Sequence, residues 1–324
     1  MIDTRLTRMF DLKYPIVSAP MALAAGGKLA AAVSKAGALG LVGGGYGKGD
    51  WLEKEISVAG QTPVGYGLIT WAIKENPAAL ETVLSANPRA VFLSFDDPTP
   101  YVARIKDAGV PLICQVQTLK DAQSAVRAGA DILVAQGREA GGHGETRTTM
   151  TLVPEISTWL VDNAPDVLLL AAGGIADGRG LAASLMLGAD GVVVGSRLWA
   201  SNESLAHKNM ISAAIAATGD DTIRSPVSDI ARKLDWPVRY TAHSLKNDFT
   251  DRWHEDQDGL LKVADEEAEK WMAAWRAGDI RNASTMVGES AGLILERGPA
   301  GEIIAAIASE AEVHLRRGVE LLES

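Results

Sequence analysis

The chain has 324 residues, 47% of them hydrophobic, so it can bury a large core as one barrel-sized domain or as a barrel with an added module. A net charge of −10 argues against binding to nucleic acids or anionic membranes, which need a basic surface. Cys114 is the only cysteine, which excludes an intrachain disulfide and a zinc–thiolate site. The charged N-terminus does not fit a signal peptide and no apolar run has membrane length, so we expect an unprocessed cytoplasmic protein.

Short β-branched runs alternate with alanine-rich amphipathic segments from Pro15 to Ser196, which is typical of repeated β–α units. Eight strands are predicted, at residues 16–19, 39–42, 64–68, 90–94, 112–116, 132–135, 167–171 and 192–194. Eight is the number at which such a barrel closes, so we predict an α/β fold of the TIM (β/α)8 type. An open Rossmann sheet is the rival, but no GxGxxG motif follows the first strand.

The sequence becomes more polar and helical after Trp199 and carries further tryptophans at Trp236, Trp253, Trp271 and Trp275. This change predicts a smaller helical substrate or lid region rather than more barrel. Residues 284–294 are apolar again and are expected to return to the barrel as a closing helix. The predicted domains are a barrel at 1–200, the lid region at 201–283, and C-terminal helices at 284–324.

Two neighbouring strand ends carry the pattern of a phosphate site. One apolar strand runs into Gly173 and Gly174, and the next ends in Gly195 and Ser196. Glycines let backbone N–H groups approach an anion closely, and the following helix presents its positive end. The loops after the seventh and eighth strands of a barrel commonly bind phosphate, so the pattern predicts a phosphate-bearing cofactor. Each pair of residues alone could equally well form only a tight turn.

Other strand ends offer contacts for such a cofactor. Gln115 at the fifth strand and Gln136 at the sixth could bond its heteroatoms and hydroxyls, and alternation points Gln117 the same way as Gln115. The first strand is followed by small residues and a methionine that could lie against a flat ring, although a plain core turn explains them nearly as well: Ala19, Pro20 and Met21.

His143 is the sharpest catalytic candidate. It follows the sixth strand and is flanked by Gly141, Gly142 and Gly144, which leave room for the imidazole to approach substrate and cofactor. An imidazole that titrates near neutral pH can give or take a proton. No HxxxH pair exists, so no catalytic metal is predicted. The remaining histidines lack such a setting: His207, His243, His254 and His314.

These residues resemble the nitronate monooxygenases, formerly called 2-nitropropane dioxygenases, and the related flavin-dependent enoyl-ACP reductases. The resemblance extends over most of the chain and is more specific for the superfamily than for the reaction. It rests on residues 15–21, Glu139-Ala140-Gly141-Gly142-His143-Gly144, residues 149–155, Gly173-Gly174-Ile175-Ala176-Asp177-Gly178-Arg179-Gly180, Gly195-Ser196-Arg197, Leu234-Asp235-Trp236-Pro237 and residues 249–253.

The resemblance implies an FMN-binding barrel with a smaller helical substrate domain, in which Gly173, Gly174, Gly195 and Ser196 hold the FMN phosphate. At two positions the sequence departs from the pattern of the family it resembles. Gln115 lies where the best-studied monooxygenases look to carry a lysine near the flavin N1–C2=O edge, and a neutral amide stabilises an anionic reduced flavin less than a cation does. Gly67 stands in place of an asparagine that is common after the third strand, and is expected to leave a gap for substrate or water.

The implied activity is FMN-dependent oxidation of alkyl nitronates with O2 to a carbonyl compound and nitrite, with His143 as base or as electrostatic partner of the nitronate. The alternative is an enoyl-ACP reductase type of enzyme that uses FMN and NAD(P)H, with His143 as proton donor or positioning group. A flavin-binding barrel without activity is a third hypothesis, against which the intact His143 segment argues. The expected partners are a small molecule and O2, with no nucleic acid and no membrane, and a homo-oligomer is left open.

Overall fold

The computed structural model describes residues 2–323. The strands, in chain order, are β1 (Ile16–Ser18), β2 (Leu41–Gly45), β3 (Gly65–Ile69), β4 (Val91–Ser94), β5 (Leu112–Val116), β6 (Ile132–Gln136), β7 (Gly142–Gly144), β8 (Leu168–Ala172), β9 (Gly191–Val194), β10 (Thr222–Ser225) and β11 (Thr241–Leu245). Eight of them form one parallel sheet in the order β1-β9-β8-β6-β5-β4-β3-β2. A bridge between Val17 and Leu39 joins its two edges, and the Ser18 N–H donates to the Leu39 carbonyl at 2.9 Å. The predicted TIM (β/α)8 barrel is confirmed.

All eight predicted barrel strands are present, and β2 differs most from its prediction. The expected strand at residues 39–42 is observed at Leu41–Gly45, with a shift of register against β3 between Gly43 and Gly45. A Cβ atom at Gly43 would collide with the Met21 carbonyl. Glycine therefore lets the segment after β1 pack directly on β2, and the strand continues through Gly43, Gly44 and Gly45, beyond its predicted end at residue 42.

Helices surround the barrel and build the second region. They are α1 (Arg5–Phe10), α2 (Gly27–Ala36), α3 (Gly49–Ala59), α4 (Thr70–Ile73), α5 (Ala78–Ser85), α6 (Thr99–Asp107), α7 (Leu119–Ala128), α8 (Thr149–Asn163), α9 (Gly178–Met186), α10 (Ser196–Trp199), α11 (Lys208–Ala216), α12 (Val227–Arg232), α13 (Asp248–Trp253), α14 (Gln257–Lys262), α15 (Ala264–Ala277) and α16 (Ala300–Glu323). Gly37 and Gly129 end α2 and α7 in the left-handed conformation, which glycine adopts without strain.

The barrel has two apolar layers. The outer layer lies between strands and helices, and the inner layer fills the barrel with residues such as Phe92, Ile113 and Leu170. Leu6 and Phe10 of α1 belong to the inner layer, so this short N-terminal helix packs against the barrel interior. The interior is thus a packed core rather than a channel, and ligands must be held at its end.

The second region contains a three-stranded antiparallel sheet that the sequence did not predict. Its order is β10-β11-β7, and β7 comes from the loop between β6 and α8 of the barrel. β7 consists of Gly142, His143 and Gly144, a composition that carries no strand signal. Around this sheet, helices α11 to α15 pack on an apolar core that includes Trp199, Phe249, Trp253 and Trp271. The sheet ties the second region to the loop that bears His143.

The C-terminal part of the chain differs from the expected closing helix at residues 284–294. Residues 284–288 form no helix, and a short 3-10 helix follows at Glu289–Leu293. Gly288 packs against the backbone of residues 139–141. The helix that returns to the barrel is instead α16, which packs on α9 and α2 and buries Ile304 and Ile307 in the outer apolar layer. None of the helices between residues 2 and 323 combines the length and apolarity that crossing a membrane requires. The boundaries of the three predicted domains stay a prediction.

Candidate active site

His143 lies at the centre of β7, beyond the end of β6. It pairs with Ala242 of β11, and Gly142 has a φ of 72°, a conformation that side-chain-bearing residues rarely adopt. The flanking glycines therefore serve the turn as well as the space around the imidazole. The structure places His143 at the interface between the barrel loop and the second region.

His143 is hydrogen-bonded to a buried carboxylate that the sequence did not single out. Its Nε2 atom lies 2.8 Å from Oδ2 of Asp229 on α12, and the two side chains are only 9% and 6% exposed. Burial lowers the pKa of His143, and the hydrogen bond to Asp229 opposes part of that shift. The imidazole is consequently neutral near pH 7, with a carboxylate fixed at one of its nitrogens.

An aromatic cluster covers one face of the imidazole. The Trp236 ring stacks on His143 with centroids 3.4 Å apart and planes 5° from parallel. Four other aromatic rings lie edge-on to Trp236 or to each other, three of them from the ends of β2, β3 and β4, so that the cluster consists of Tyr46, Trp71, Phe95, Trp236 and Tyr240. The cluster links three consecutive barrel loops to the connection between α12 and β11.

Asp229 and the aromatic cluster were missed for different reasons. Asp229 lies in a short helix between buried Val227 and Ala231, and an acidic residue among apolar and small ones was the available signal. Trp236 lay within a segment that carries the resemblance, but nothing in the sequence showed that it contacts His143. Contacts across 86 residues, as between His143 and Asp229, have no local pattern.

Two polar side chains, one half-buried and one buried, fix the segment that carries His143. The Arg224 guanidinium donates to the carbonyls of Arg138, Ala140, Gly144 and Thr241. His243 Nδ1 lies 3.1 Å from the first two of these carbonyl oxygens, and burial lowers the pKa of His243 to about 4. His243 is therefore a neutral structural donor, in keeping with its exclusion from the catalytic candidates.

The predicted phosphate cradle is a set of free backbone donors. Gly173 and Gly174 have φ values of 101° and 74°, so both need the glycine conformation. Within residues 2–323, the N–H groups of Gly173, Gly174, Gly195 and Ser196 donate to no protein acceptor. A Cβ atom at Gly195 would meet only the Ala19 Cβ, at 3.6 Å, so open space lies over this backbone. Unpaired donors beside open space fit an anionic phosphate.

The helix that was expected to support the cradle does not offer its N-terminus. The Asp177 side chain accepts from Gly180 N at 3.1 Å, and Glu310 of α16 accepts from Gly178 N at 2.7 Å. These carboxylates satisfy the first N–H groups of α9, so this part of the prediction is wrong. Phosphate binding here depends on the loop donors themselves.

Ser196 and the glycines near His143 meet the C-terminal segment. The Ser196 hydroxyl accepts from Gly288 N at 3.2 Å. A Cβ atom at Gly141 would lie 2.7 Å from Gly288 N, so the two glycines are in backbone contact. The structure thus brings Gly141, adjacent to the His143 strand, next to the residue that bonds Ser196.

The three glutamines form one cluster at the barrel end. Gln115 and Gln117 both donate to Oε1 of Gln136, at 3.0 and 2.7 Å, so they do point the same way. Gln115 and Gln117 also line a cavity of about 480 Å³ with Asp96, Arg239 and Tyr240. His143 and the cradle residues are not among its lining residues, so the cavity approaches the amides from the side of α6 and α7.

The residues after β1 are packed more tightly than expected. Ala19 N donates to the Val194 carbonyl at 2.9 Å, and Met21 contacts the cores of both regions. Pro20 covers Gly67 so closely that a Cβ atom there would collide with its ring. The expected gap at Gly67 is therefore wrong, because Pro20 fills it.

Comparison with known proteins gives consistent matches over nearly the whole chain. The family model "Nitronate monooxygenase" matches residues 3–77 and 70–310. A nitronate monooxygenase of Neurospora crassa is 33% identical, and the alignment covers 97% of this chain and 94% of that protein.

Solved structures show the same relationship. FabK from Thermotoga maritima overlays with a TM-score of 0.86 at 32% identity, covering 99% of this chain and 100% of that one. Nitroalkane oxidase from Streptomyces ansochromogenes overlays with a TM-score of 0.79 at 25% identity, covering 96% and 99%. With the barrel and the extent of these matches established, the chain belongs to the nitronate monooxygenase family and is an oxidoreductase.

Proposed function

We propose that this protein oxidises alkyl nitronates with O2 to a carbonyl compound and nitrite, with FMN as its bound cofactor. Family membership supports the type of reaction. The observation that carries the proposal is the neutral, carboxylate-bound His143 on a loop at the same barrel end as four free backbone donors.

The residues present fit FMN. The cradle N–H groups of Gly173, Gly174, Gly195 and Ser196 would hold its phosphate without a lysine or arginine. The amides of Gln115 and Gln136 would bond ribityl hydroxyls or ring heteroatoms. The remaining proposed contacts are backbone and apolar surface, from Ala19, Pro20, Met21, Gly141 and Gly142. When bound, FMN supplies the capacity to accept electrons from the substrate and to pass them to O2.

His143 acts as a base in this proposal. Burial lowers its pKa, so the imidazole is neutral and carries a lone pair rather than a positive charge near pH 7. A neutral ring cannot pair electrostatically with an anionic nitronate, so burial supports the base role over that of electrostatic partner. A base can remove the proton on the carbon beside a nitro group, which converts a neutral nitroalkane into its nitronate.

The second candidate is an enoyl-ACP reductase type of reaction that uses FMN and NAD(P)H. Gln115 favours it, because a neutral amide bonded to Gln136 stands where the resemblance to monooxygenases implies a lysine. A less stabilised anionic reduced flavin changes redox tuning, and His143 would then position or protonate the substrate.

Anaerobic mixing separates the two candidates. Purified protein reconstituted with FMN is mixed with propionate 3-nitronate and, in separate samples, with NADH and NADPH, while the visible flavin absorbance is followed. We expect bleaching by the nitronate alone. Bleaching by a nicotinamide alone would replace the proposal with the reductase, and a flavin that neither reagent bleaches would favour a binding protein without activity.

A further inference from the structure

We propose that Asp229 is a positioning residue for His143: it holds the imidazole proton on Nε2 and so makes Nδ1 the atom that exchanges a proton with substrate. The inference rests on the proposed function, in which His143 is the base. It adds a residue from the second region to a site that the sequence located entirely in the barrel loops.

The hydrogen bond between the two side chains sets the position of the proton. A carboxylate only accepts hydrogen bonds, and Nε2 is the one side-chain donor to Asp229 within the described residues. At 2.8 Å, with both side chains less than a tenth exposed, solvent does not compete for this bond. Nε2 therefore carries the hydrogen, and the lone pair is left on Nδ1.

Asp229 also lies beside a cation, the Arg232 guanidinium. Arg232 Nη1 lies 3.8 Å from Oδ1, and Nη2 of the same guanidinium donates to the Tyr46 hydroxyl at 3.2 Å. Oδ1 has no hydrogen-bond partner within residues 2–323, so the charge of Arg232 and the proton on Nε2 are what offset its burial. Losing either one leaves a poorly compensated carboxylate.

The ring plane is fixed as well as the proton. Trp236 stacks on the imidazole, and its Nε1 donates at 3.2 Å to the same Tyr46 hydroxyl that Arg232 contacts. Five residues thus form a closed arrangement, the Asp229 network, which comprises His143, Asp229, Arg232, Tyr46 and Trp236. A ring flip of His143 would break its bond to Asp229 in a buried site, so the network selects one orientation.

The charges around His143 act in opposite directions. Burial lowers its pKa and so do the nearby guanidinium groups of Arg232 and Arg224, whereas Asp229 raises it. Neutralising Asp229 removes the only raising influence among these groups. The pKa of His143 should then fall further, which makes a weaker base as well as a misplaced one.

The test reads the imidazole tautomer by long-range proton–nitrogen NMR on protein labelled with 15N only in its five histidines. The His143→Gln variant assigns the signals of His143 by removing them. We expect the Nε2–H tautomer in the wild type. In Asp229→Asn the amide can donate to Nε2, so we expect a shift toward Nδ1–H. Asp235→Asn, the same change at an exposed site, should leave the tautomer unaltered.

Turnover supplies the second readout. Asp229→Asn should lower kcat with a neutral nitroalkane by about 100-fold, the scale of a lost acid or base, with a much smaller change in KM and a smaller loss of kcat with the preformed nitronate. The acid limb of the kcat/KM profile of Asp229→Asn should also lie at lower pH than that of the wild type, because the pKa of His143 has fallen.

The inference is overturned if the wild type shows the Nδ1–H tautomer, a result that needs no variant to fold. It is also overturned if Asp229→Asn keeps both the wild-type tautomer and near-normal kcat. If the wild type oxidises no nitronate while its tautomer still depends on Asp229, the proposed function fails and the positioning role stands.

Discussion

The cradle and the Asp229 network lie at the same end of the barrel and are built in opposite ways. The cradle consists of main-chain groups from two consecutive loops, after β8 and β9. The Asp229 network consists of side chains from the loop after β2, from β7, and from α12 and the segment that follows it. One site depends on backbone conformation, and the other depends on how two regions of the molecule pack together.

Because of this difference, the two sites should be sensitive to different kinds of substitution. The cradle is sensitive to added side chains at Gly173 and Gly174, whose positive φ values require glycine. The Asp229 network is sensitive to the loss of any of its polar or aromatic side chains. Cofactor binding and proton transfer should therefore be separable by mutation. The predictions below test that separation, from the largest expected effect to the smallest.

Gly174→Val should abolish FMN binding and hence all activity. A β-branched residue at a φ of 74° is strained by about 1–2 kcal/mol or more, and its Cβ would lie 3.3 Å from the Glu139 side chain, so the loop must move. The measurement is the flavin absorbance of protein reconstituted with FMN and freed of excess.

The matched control is Gly109→Val. Gly109 has a similar φ of 68° but follows α6, ahead of β5 and therefore at the opposite end of the barrel, with open space around it. Gly109→Val should lose a comparable amount of folding stability and keep the full flavin absorbance. Full colour in Gly174→Val would remove the cradle from the cofactor site.

His143→Gln should keep FMN bound and lower turnover by about 100-fold or more, the scale of a lost general base. The loss should be greater with a neutral nitroalkane than with the preformed nitronate, since only the nitroalkane has a proton to give up. Steady-state kinetics with both substrates measure this difference. His314→Gln, a change at a surface helix, serves as control, and near-normal turnover in His143→Gln would exclude His143 from the mechanism.

Trp236→Leu should raise the pKa of His143 toward its ordinary value, because the indole that buries the imidazole is gone. A base must be neutral to act, so the acid limb of kcat/KM should move to higher pH. Trp275→Leu changes a half-buried indole that packs against the core of the second region and has no ring contact with His143 among the described residues, so it should leave that limb unchanged. An unmoved limb in Trp236→Leu would show that Trp236 does not shield the base.

The smallest effect should be on stability in acid. The pKa of His243 is about 4 in the folded chain and near 6.5 when unfolded, so below pH 6.5 the unfolded state binds the extra proton. The stabilisation is complete above pH 6.5 and is lost as pH falls toward 4, by about 1–2 kcal/mol after allowance for solvent screening.

Melting temperatures between pH 7 and 4.5 measure this loss. His243→Asn keeps a donor near the Nδ1 position but does not titrate, so its melting temperature should fall less steeply with acid than that of the wild type. Equal slopes for the wild type and His243→Asn would contradict the role of His243.

Much of the barrel was predictable because its signals are local. The strands at residues 112–116, 132–135 and 167–171 were located to within one residue by their apolar runs, and the paired glycines marked the cradle. The shared direction of Gln115 and Gln117 followed from strand alternation alone. These features depend on neighbours in sequence, so a single chain reveals them.

Predictions from the sequence failed where distant segments compete for the same space or the same hydrogen-bond donor. The gap expected at Gly67 is filled by Pro20, and the N-terminus of α9 is occupied by Glu310 from a helix more than a hundred residues later. The sheet that carries His143 was not predicted, because its other two strands, β10 and β11, lie far from β7 in the sequence.

The sequence by itself determined the barrel, the position of the free backbone donors and the choice of His143. The hydrophobic periodicity, the glycines and the strand ends that predict these features are each properties of a few neighbouring residues. Only the tertiary structure decided that Asp229 meets Nε2 and that Trp236 covers the ring. The physical reason is that a buried side chain's protonation depends on whatever groups the fold packs against it, and those groups come from anywhere in the chain.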